Sequence, residues 1–288
     1  MGVHASGLSF VQVARPAKGQ ARVEVAEFRA FAGAAPAQVL AGLVAEHDLK
    51  RRPCTTLLRE GAYRLLQTEA PDVKVEELRA ALRWRIKDLI DFHVNDATID
   101  VFDVPIQVPG RAALVYVVVG RNEEIRERVD LLHGAGLALE IIDIPELAQR
   151  NLARLLPEDQ DGVAMLTLGE DIACITITKG GALYLSRSVP VTPALLGDSQ
   201  GPERLLLELQ RSLDYFESSF RQNPVMHVVV APGSEEARRL VAFLQANLAQ
   251  RVVLWDPQAC QEVTGANIVP DSCFLTFGAA LRKDEVAL

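Results

Sequence analysis

The sequence has no block of cationic charge, no paired cysteines and no long apolar run, and each lack removes a class of function. Its 288 residues carry 30 Lys and Arg against 38 Asp and Glu, a formal charge of −8 spread along the length. Nothing in that distribution provides an electrostatic footprint for nucleic acid or for an anionic membrane surface. The four cysteines, Cys54, Cys174, Cys260 and Cys273, form no C-x-x-C pair and mostly sit in apolar runs, which points to buried thiols instead of metal ligands or disulfides. The five histidines, His4, His47, His93, His133 and His227, lack the ligand spacing zinc requires. The amino terminus has no charged region followed by an apolar one, and no stretch approaches the roughly 20 apolar residues of a membrane helix. The expectation is a cytosolic protein, without direct membrane insertion, that reaches a membrane only through a tether.

Catalytic signatures are missing as well. There is no G-x-x-x-x-G-K-[ST], no G-x-G-x-x-G, no H-E-x-x-H and no G-x-S-x-G. Asp88, Asp91, Asp96, Asp100 and Asp103 are close in sequence, but they run across a helix end, a loop and a strand. They read as a solvated face, since general acid–base work needs two carboxylates at a fixed separation.

What is there is a globular pattern: 49% of residues are hydrophobic and 24% charged, enough for a sizeable core in one bilobal unit or two domains. Leu8 to Ala14 and Val23 to Phe31 read as strands around a Pro16/Gly19 turn, followed by a helix from Ala37 to Glu46. Alternation in Thr56-Leu57-Leu58 and Tyr63 to Gln67, around Glu60-Gly61, predicts a hairpin. From Lys74 the period becomes helical, with Leu78, Leu82, Ile86, Leu89 and Ile90 on one face of a helix of about four turns. Strands are predicted over 97–104, 112–119 and 137–142, and helices over 123–132 and 145–155.

Pro157 to Gly162 is polar and turn-rich, the place for a boundary between lobes. Beyond it the theme returns: strands over 163–168, 172–179 and 181–190, a helix over 203–220 with Leu205, Leu209, Leu213, Phe216 and Phe220 on one stripe, then strand, helix and strand again. The repeat lies in architecture more than in letters. A last helix within 272–282 carries Phe274, Phe277 and Leu281 at helical spacing.

Glu77 to Pro105 (ELRAALRWRIKDLIDFHVNDATIDVFDVP), Glu208 to Phe220 (ELQRSLDYFESSF), Asp143 to Ala148 (DIPELA), Ala135-Gly136-Leu137 and Phe277 to Arg282 (FGAALR) together resemble the MshI family. That family serves biogenesis of the mannose-sensitive haemagglutinin pilus and is similar to PilM, the FtsA-like, actin-fold component of type IV pilus assembly. The resemblance covers nearly the whole chain. It implies an α/β, actin-like (ribonuclease H-like) two-lobed fold, with 1–70 plus 135–157 as the first lobe, 71–134 as an inserted small subdomain and 158–288 as the second lobe.

Actin-like ATPases orient the nucleotide's metal with an Asp-x-Gly turn in each lobe, where the carboxylate holds the Mg²⁺ shell and glycine lets backbone N–H groups reach phosphate. Aligned on that pattern, Ala5 and Thr167 stand where active members have Asp, ahead of Gly7 and Gly169. Ala231-Pro232-Gly233 stands for the adenosine-side glycine pair, and Pro232 removes a donor. Ala5, Gly7, Ser9, Thr167, Gly169 and Gly233 are thus degenerate nucleotide-loop positions, and neither ATP nor magnesium is expected as a cofactor. The alternative is a shifted turn in which Glu170 or Asp171 supplies the carboxylate.

With chemistry lost, the useful surface should bind protein. At about 100° per residue Trp84 projects roughly 200° from Leu82, on the polar side of its helix beside Lys87 and Asp91. It is either an anchor for a partner or a core residue packed beneath a neighbouring strand. By resemblance the partner is the cytosolic amino-terminal segment of a bitopic, PilN-like inner-membrane protein, received in a groove beside the inserted subdomain and linking the chain to the pilus assembly machinery. The expectation is a cytosolic adaptor, peripheral to the inner membrane, that is not an enzyme. Two other readings stay open: a nucleotide-binding switch or slow ATPase, and a self-assembling actin-like filament protein.

Overall fold

Strand and helix alternate through the computed structural model, which describes all residues except 17–18, 106–112, 170, 192, 198–199, 258–259, 261–262 and 283–288, and the side chains of 193, 194 and 267. Contacts group the described chain into two compact units, Met1–Leu8 with Arg29–Ile144, and Ser9–Phe28 with Pro145–Arg282. Strands β1 (Gly2–Val3), β2 (Gly7–Ala14) and β3 (Ala21–Ala30) lie side by side in one sheet, and β2 and β3 run through both units.

In the first unit, α1 (Pro36–Glu46) leads to β4 (Pro53–Leu57), then β5 (Tyr63–Glu69), α2 (Val75–Ile86), β6 (Ala97–Asp103), β7 (Leu114–Arg121), α3 (Asn122–Gly134) and β8 (Ala138–Asp143). The expected hairpin around Glu60-Gly61 does not form. β4 pairs in parallel with β8, while β5 pairs antiparallel with β7, so the turn carries the chain from one sheet to another. The Met1 ammonium extends the first of these sheets by donating to the Thr55 carbonyl at 2.9 Å.

The second sheet, in the order β5-β7-β6, is the one that α2 covers. Alternation along β6 turns Ala97, Ile99 and Val101 inward, and Val115, Val117 and Val119 of β7 meet Leu82 and Ile86 of α2 behind them. The helix is shorter than its periodicity suggested. It ends at Ile86, and Leu89, expected on the buried stripe, is 59% exposed. The chain leaves the helix because its continuation is anchored elsewhere: the Arg121 guanidinium lies 4.2 Å over the Phe92 ring and 3.1 Å from the Asp91 carboxylate.

The second unit is built around β9 (Val163–Leu168), β10 (Ile172–Lys179), β11 (Ala182–Pro190), β12 (His227–Ala231) and β13 (Arg251–Leu254), in the sheet order β11-β10-β9-β12-β13. The first three strands are antiparallel neighbours, and β12 and β13 run parallel to β9. The parallel pairings demand crossovers. These contain α5 (Pro193–Leu196) and α6 (Gln200–Phe220) before β12, and α7 (Glu235–Asn247) before β13. The predicted stripe of α6 is buried throughout, from Leu205 to Phe220. The two-residue β14 (Val263–Thr264) adds in parallel to β3, and α8 (Phe274–Ala280) closes the unit.

Compactness divides the chain elsewhere than at 157/158. Helix α4 (Pro145–Ala153) packs on α8 and on β9, β10 and β11, which places it in the second unit. Gly278 lets α4 and α8 come together, since a Cβ there would lie 2.3 Å from the Ala148 carbonyl oxygen. The Pro157–Gln160 turn is likewise internal: Asp159 is fully buried and accepts from the Thr178 hydroxyl and the Gly181 N–H, each at 2.6 Å. All four cysteines are free thiols, three of them buried, and burial pushes Cys260 up to about 12.

Candidate functional site

The positions that the resemblance aligns with nucleotide loops fall at or beside three turns. At the first, β1 turns into β2 through His4 to Gly7, with His4 N–H donating to the Gly7 carbonyl at 2.9 Å. Ala5 is exposed at the tip and offers a methyl group where a metal-orienting carboxylate was sought. Ser9 faces the core of the second unit, fully buried, and its hydroxyl bonds that of Thr276 on α8.

At the second turn, β9 returns as β10 with Gly169 N–H donating to the Ile172 carbonyl at 3.0 Å. Thr167 sits opposite Cys174 in the register. Its hydroxyl accepts from Gln149 Nε2 at 2.6 Å and points toward the Cys174 carbonyl at 3.4 Å, while Thr176 donates to Gln149 Oε1 at 2.9 Å. Gln149 is fully buried because α4 is packed on all sides within its unit, so its amide needs partners on both atoms and the two threonines supply them. Of the carboxylates considered as substitutes, Glu170 lies outside the described residues, and Asp171 is an exposed turn residue.

At the third turn, after β12, the Gly233 N–H is already taken, donating to Asp271 Oδ1 at 3.2 Å. Gly233 has no left-handed φ, and a Cβ on it would meet Asp271 only at ordinary contact distance. Ser234 directly follows as the cap of α7, accepting from Ala237 N–H at 3.2 Å. Taken one by one, Ala5 offers a methyl, Thr167 a hydroxyl bonded within the chain and Gly233 an amide already donated. Gln149 and Asp271 were not singled out from sequence. The signal for Gln149 was a polar residue inside an otherwise buried helix, and only the packing of that helix could show it was enclosed.

The surface candidates lie on the first unit. Trp84 is 72% exposed, the most open large apolar side chain among the described residues, and so is not packed beneath a strand. Lys87 lies one turn on, its Nζ 5.9 Å from the centre of the indole ring. Asp91 is not beside them as a free acid; it bridges Arg121 at 3.1 Å and Arg64 at 3.7 Å. Asp100 pairs with Arg79 at 2.9 Å, and all five aspartates of 88–103 are exposed. Among the described residues no three His, Cys, Asp or Glu side chains gather as a metal site, and no helix is long and apolar enough to cross a membrane.

No protein-family model and no curated protein matches the sequence. Solved structures do match. A chain described as a PilM-PilN type IV pilus biogenesis complex superposes with a TM-score of 0.73 at 19% identity, covering 97% of this chain and 95% of that one. The cytoplasmic domain of EpsL, an inner-membrane component of the type II secretion system of Vibrio cholerae, gives 0.51 at 14% identity, covering 86% and 93%. A Bacteroides thetaiotaomicron protein with an actin-like ATPase fold gives 0.51 at 12% identity, covering 96% and 93%. The fold is therefore actin-like α/β, shared with the matched chain of the PilM-PilN complex.

Proposed function

We propose that this chain is an actin-like scaffold of type IV pilus biogenesis, of the mannose-sensitive haemagglutinin type, that holds the cytosolic amino-terminal segment of a PilN-like inner-membrane protein without turning over ATP. The observation that carries the reading is the near end-to-end likeness to the chain of the PilM-PilN complex. The resemblance of Glu77 to Pro105 and Glu208 to Phe220 to the MshI family supports the choice of pilus. Loss of hydrolysis is supported by the donors at the loop positions, which are apolar or already bonded within the chain. In this reading Trp84 anchors the partner, with Lys87 beside it, and the protein sits on the cytoplasmic side, peripheral to the inner membrane through that partner.

A nucleotide-binding switch is the rival, favoured by the fold it shares with a protein described as having an actin-like ATPase fold. One experiment separates them: thermal unfolding and isothermal titration of the full chain with a PilN-like amino-terminal peptide and, separately, with millimolar Mg-ATP. Peptide should raise the melting temperature and ATP should not, because only a ligand of the folded state stabilises it. Trp84→Ala should weaken the peptide at least about tenfold, as loss of a buried interface anchor does. A clear Mg-ATP shift with no peptide binding would overturn the proposal in favour of the switch.

A further inference from the structure

Helix α3 presents Ile125, Arg128 and Leu132 along one face, at the i, i+3, i+7 spacing of a core stripe. The middle residue breaks the pattern. Arg128 is only 8% exposed, its Nη1 is wholly enclosed without a hydrogen-bond partner, and no ion pair reaches it among the described residues. An arginine buried on a core stripe is normally held by a carboxylate, because an uncompensated buried charge costs far more than a paired one.

The natural partner is one turn earlier. Glu124 stands at i−4, where it could reach Arg128 along the helix, yet its carboxylate is committed to Arg59 of the loop between β4 and β5, at 2.8 Å. Arg59 is near enough to repel Arg128, and burial together with that repulsion holds the Arg128 guanidinium below its ordinary range. Glu124 and Glu127 both attract Arg128, but neither forms an ion pair with it. Glu127 is itself exposed to solvent, which screens its attraction.

We propose that Arg128, with Arg59 as its cationic neighbour, is a receptor for one oxyanion supplied from outside the chain, either a carboxylate or a phosphate. A guanidinium presents a planar fork of N–H donors that matches such a group through two parallel bonds, which a lysine at the same place would not do. The ligand gives a buried cation that forms no ion pair a bidentate partner. This site uses none of the residues assigned above to the partner segment or to the nucleotide loops, and it stands or falls apart from the proposed pilus function.

The test is thermal unfolding of the full chain titrated with sodium phosphate and, separately, with sodium acetate, at an ionic strength held constant with chloride. The wild type should show a saturable rise in melting temperature; a response to phosphate assigns a free tetrahedral oxyanion, and one to acetate a carboxylate. The titration midpoint should move up by about tenfold or more in Arg128→Met, as expected when one member of a buried charge pair is removed. Arg128→Lys, which keeps the charge and loses the fork, should weaken it in the same direction. In chloride alone, Arg128→Met should melt no lower than the wild type, because no native bond is removed. A wild type indifferent to both anions, an equal response in Arg128→Met, or a large drop in that variant's melting temperature in chloride would each overturn the proposal and leave Arg128 a structural residue.

Discussion

The turn after β9 and the exposed face of α2 handle their chemical groups in opposite ways. At the turn, the Thr167 hydroxyl at the end of β9 is bonded inward: Thr167, Gln149 and Thr176 satisfy one another within the second unit. On α2, the indole of Trp84 is left 72% open, with Lys87 Nζ 5.9 Å from its ring centre. Enclosed polar groups that are mutually satisfied stabilise a fold and leave no donor for a ligand, whereas an exposed aromatic contributes little to the fold and offers area to a partner. The contrast agrees with the proposed reading, in which the exposed face of α2 meets the partner.

The comparison can be broken by substitutions whose costs differ in a predicted order. The largest effect should come from the interior of the second unit, where Gly278→Ala drives a methyl into the Ala148 carbonyl; overpacking of this kind should cost about 3 kcal/mol in chemical denaturation. A tolerated alanine would mean that α4 and α8 separate easily. Gln149→Leu should follow at about 2 kcal/mol, since it strands the Thr167 and Thr176 hydroxyls in a buried place without removing volume. If that variant instead gained stabilisation by Mg-ATP, the network would be a lock on a working site. Smallest of all, Trp84→Ala should change stability by less than about 0.5 kcal/mol, the range of surface substitutions; a loss of several kcal/mol would make Trp84 a structural residue and remove the contrast.

Some of this was legible in the letters. The buried stripe of α6 and the strand–helix alternation of the second half follow from period alone, because burial on one face imposes a 3.6 or 2.0 repeat on apolar residues. The pairing of β4 and β5 was not legible. Both flank Glu60-Gly61 with hairpin-like alternation, and only the register with β8 and β7 shows that they belong to different sheets. Leu89 fits the helical stripe by spacing and is nevertheless exposed, because the Arg121 contacts to Asp91 and Phe92 turn the chain away after Ile86.

The same division holds for the sites. The sequence by itself determined that Ala5 and Thr167 stand two residues ahead of Gly7 and Gly169, that Pro232 brings no backbone N–H, and that Trp84 points away from Leu82, since residue identity and helical phase are local properties. Only the tertiary structure decided that Gln149 closes on Thr167, that Asp271 occupies the Gly233 amide, and that Glu124 pairs with Arg59 and forms no ion pair with Arg128. Those outcomes depend on which of several possible partners a polar group meets across long sequence separations, and that choice is made by packing, which the order of residues along one helix or strand does not encode locally.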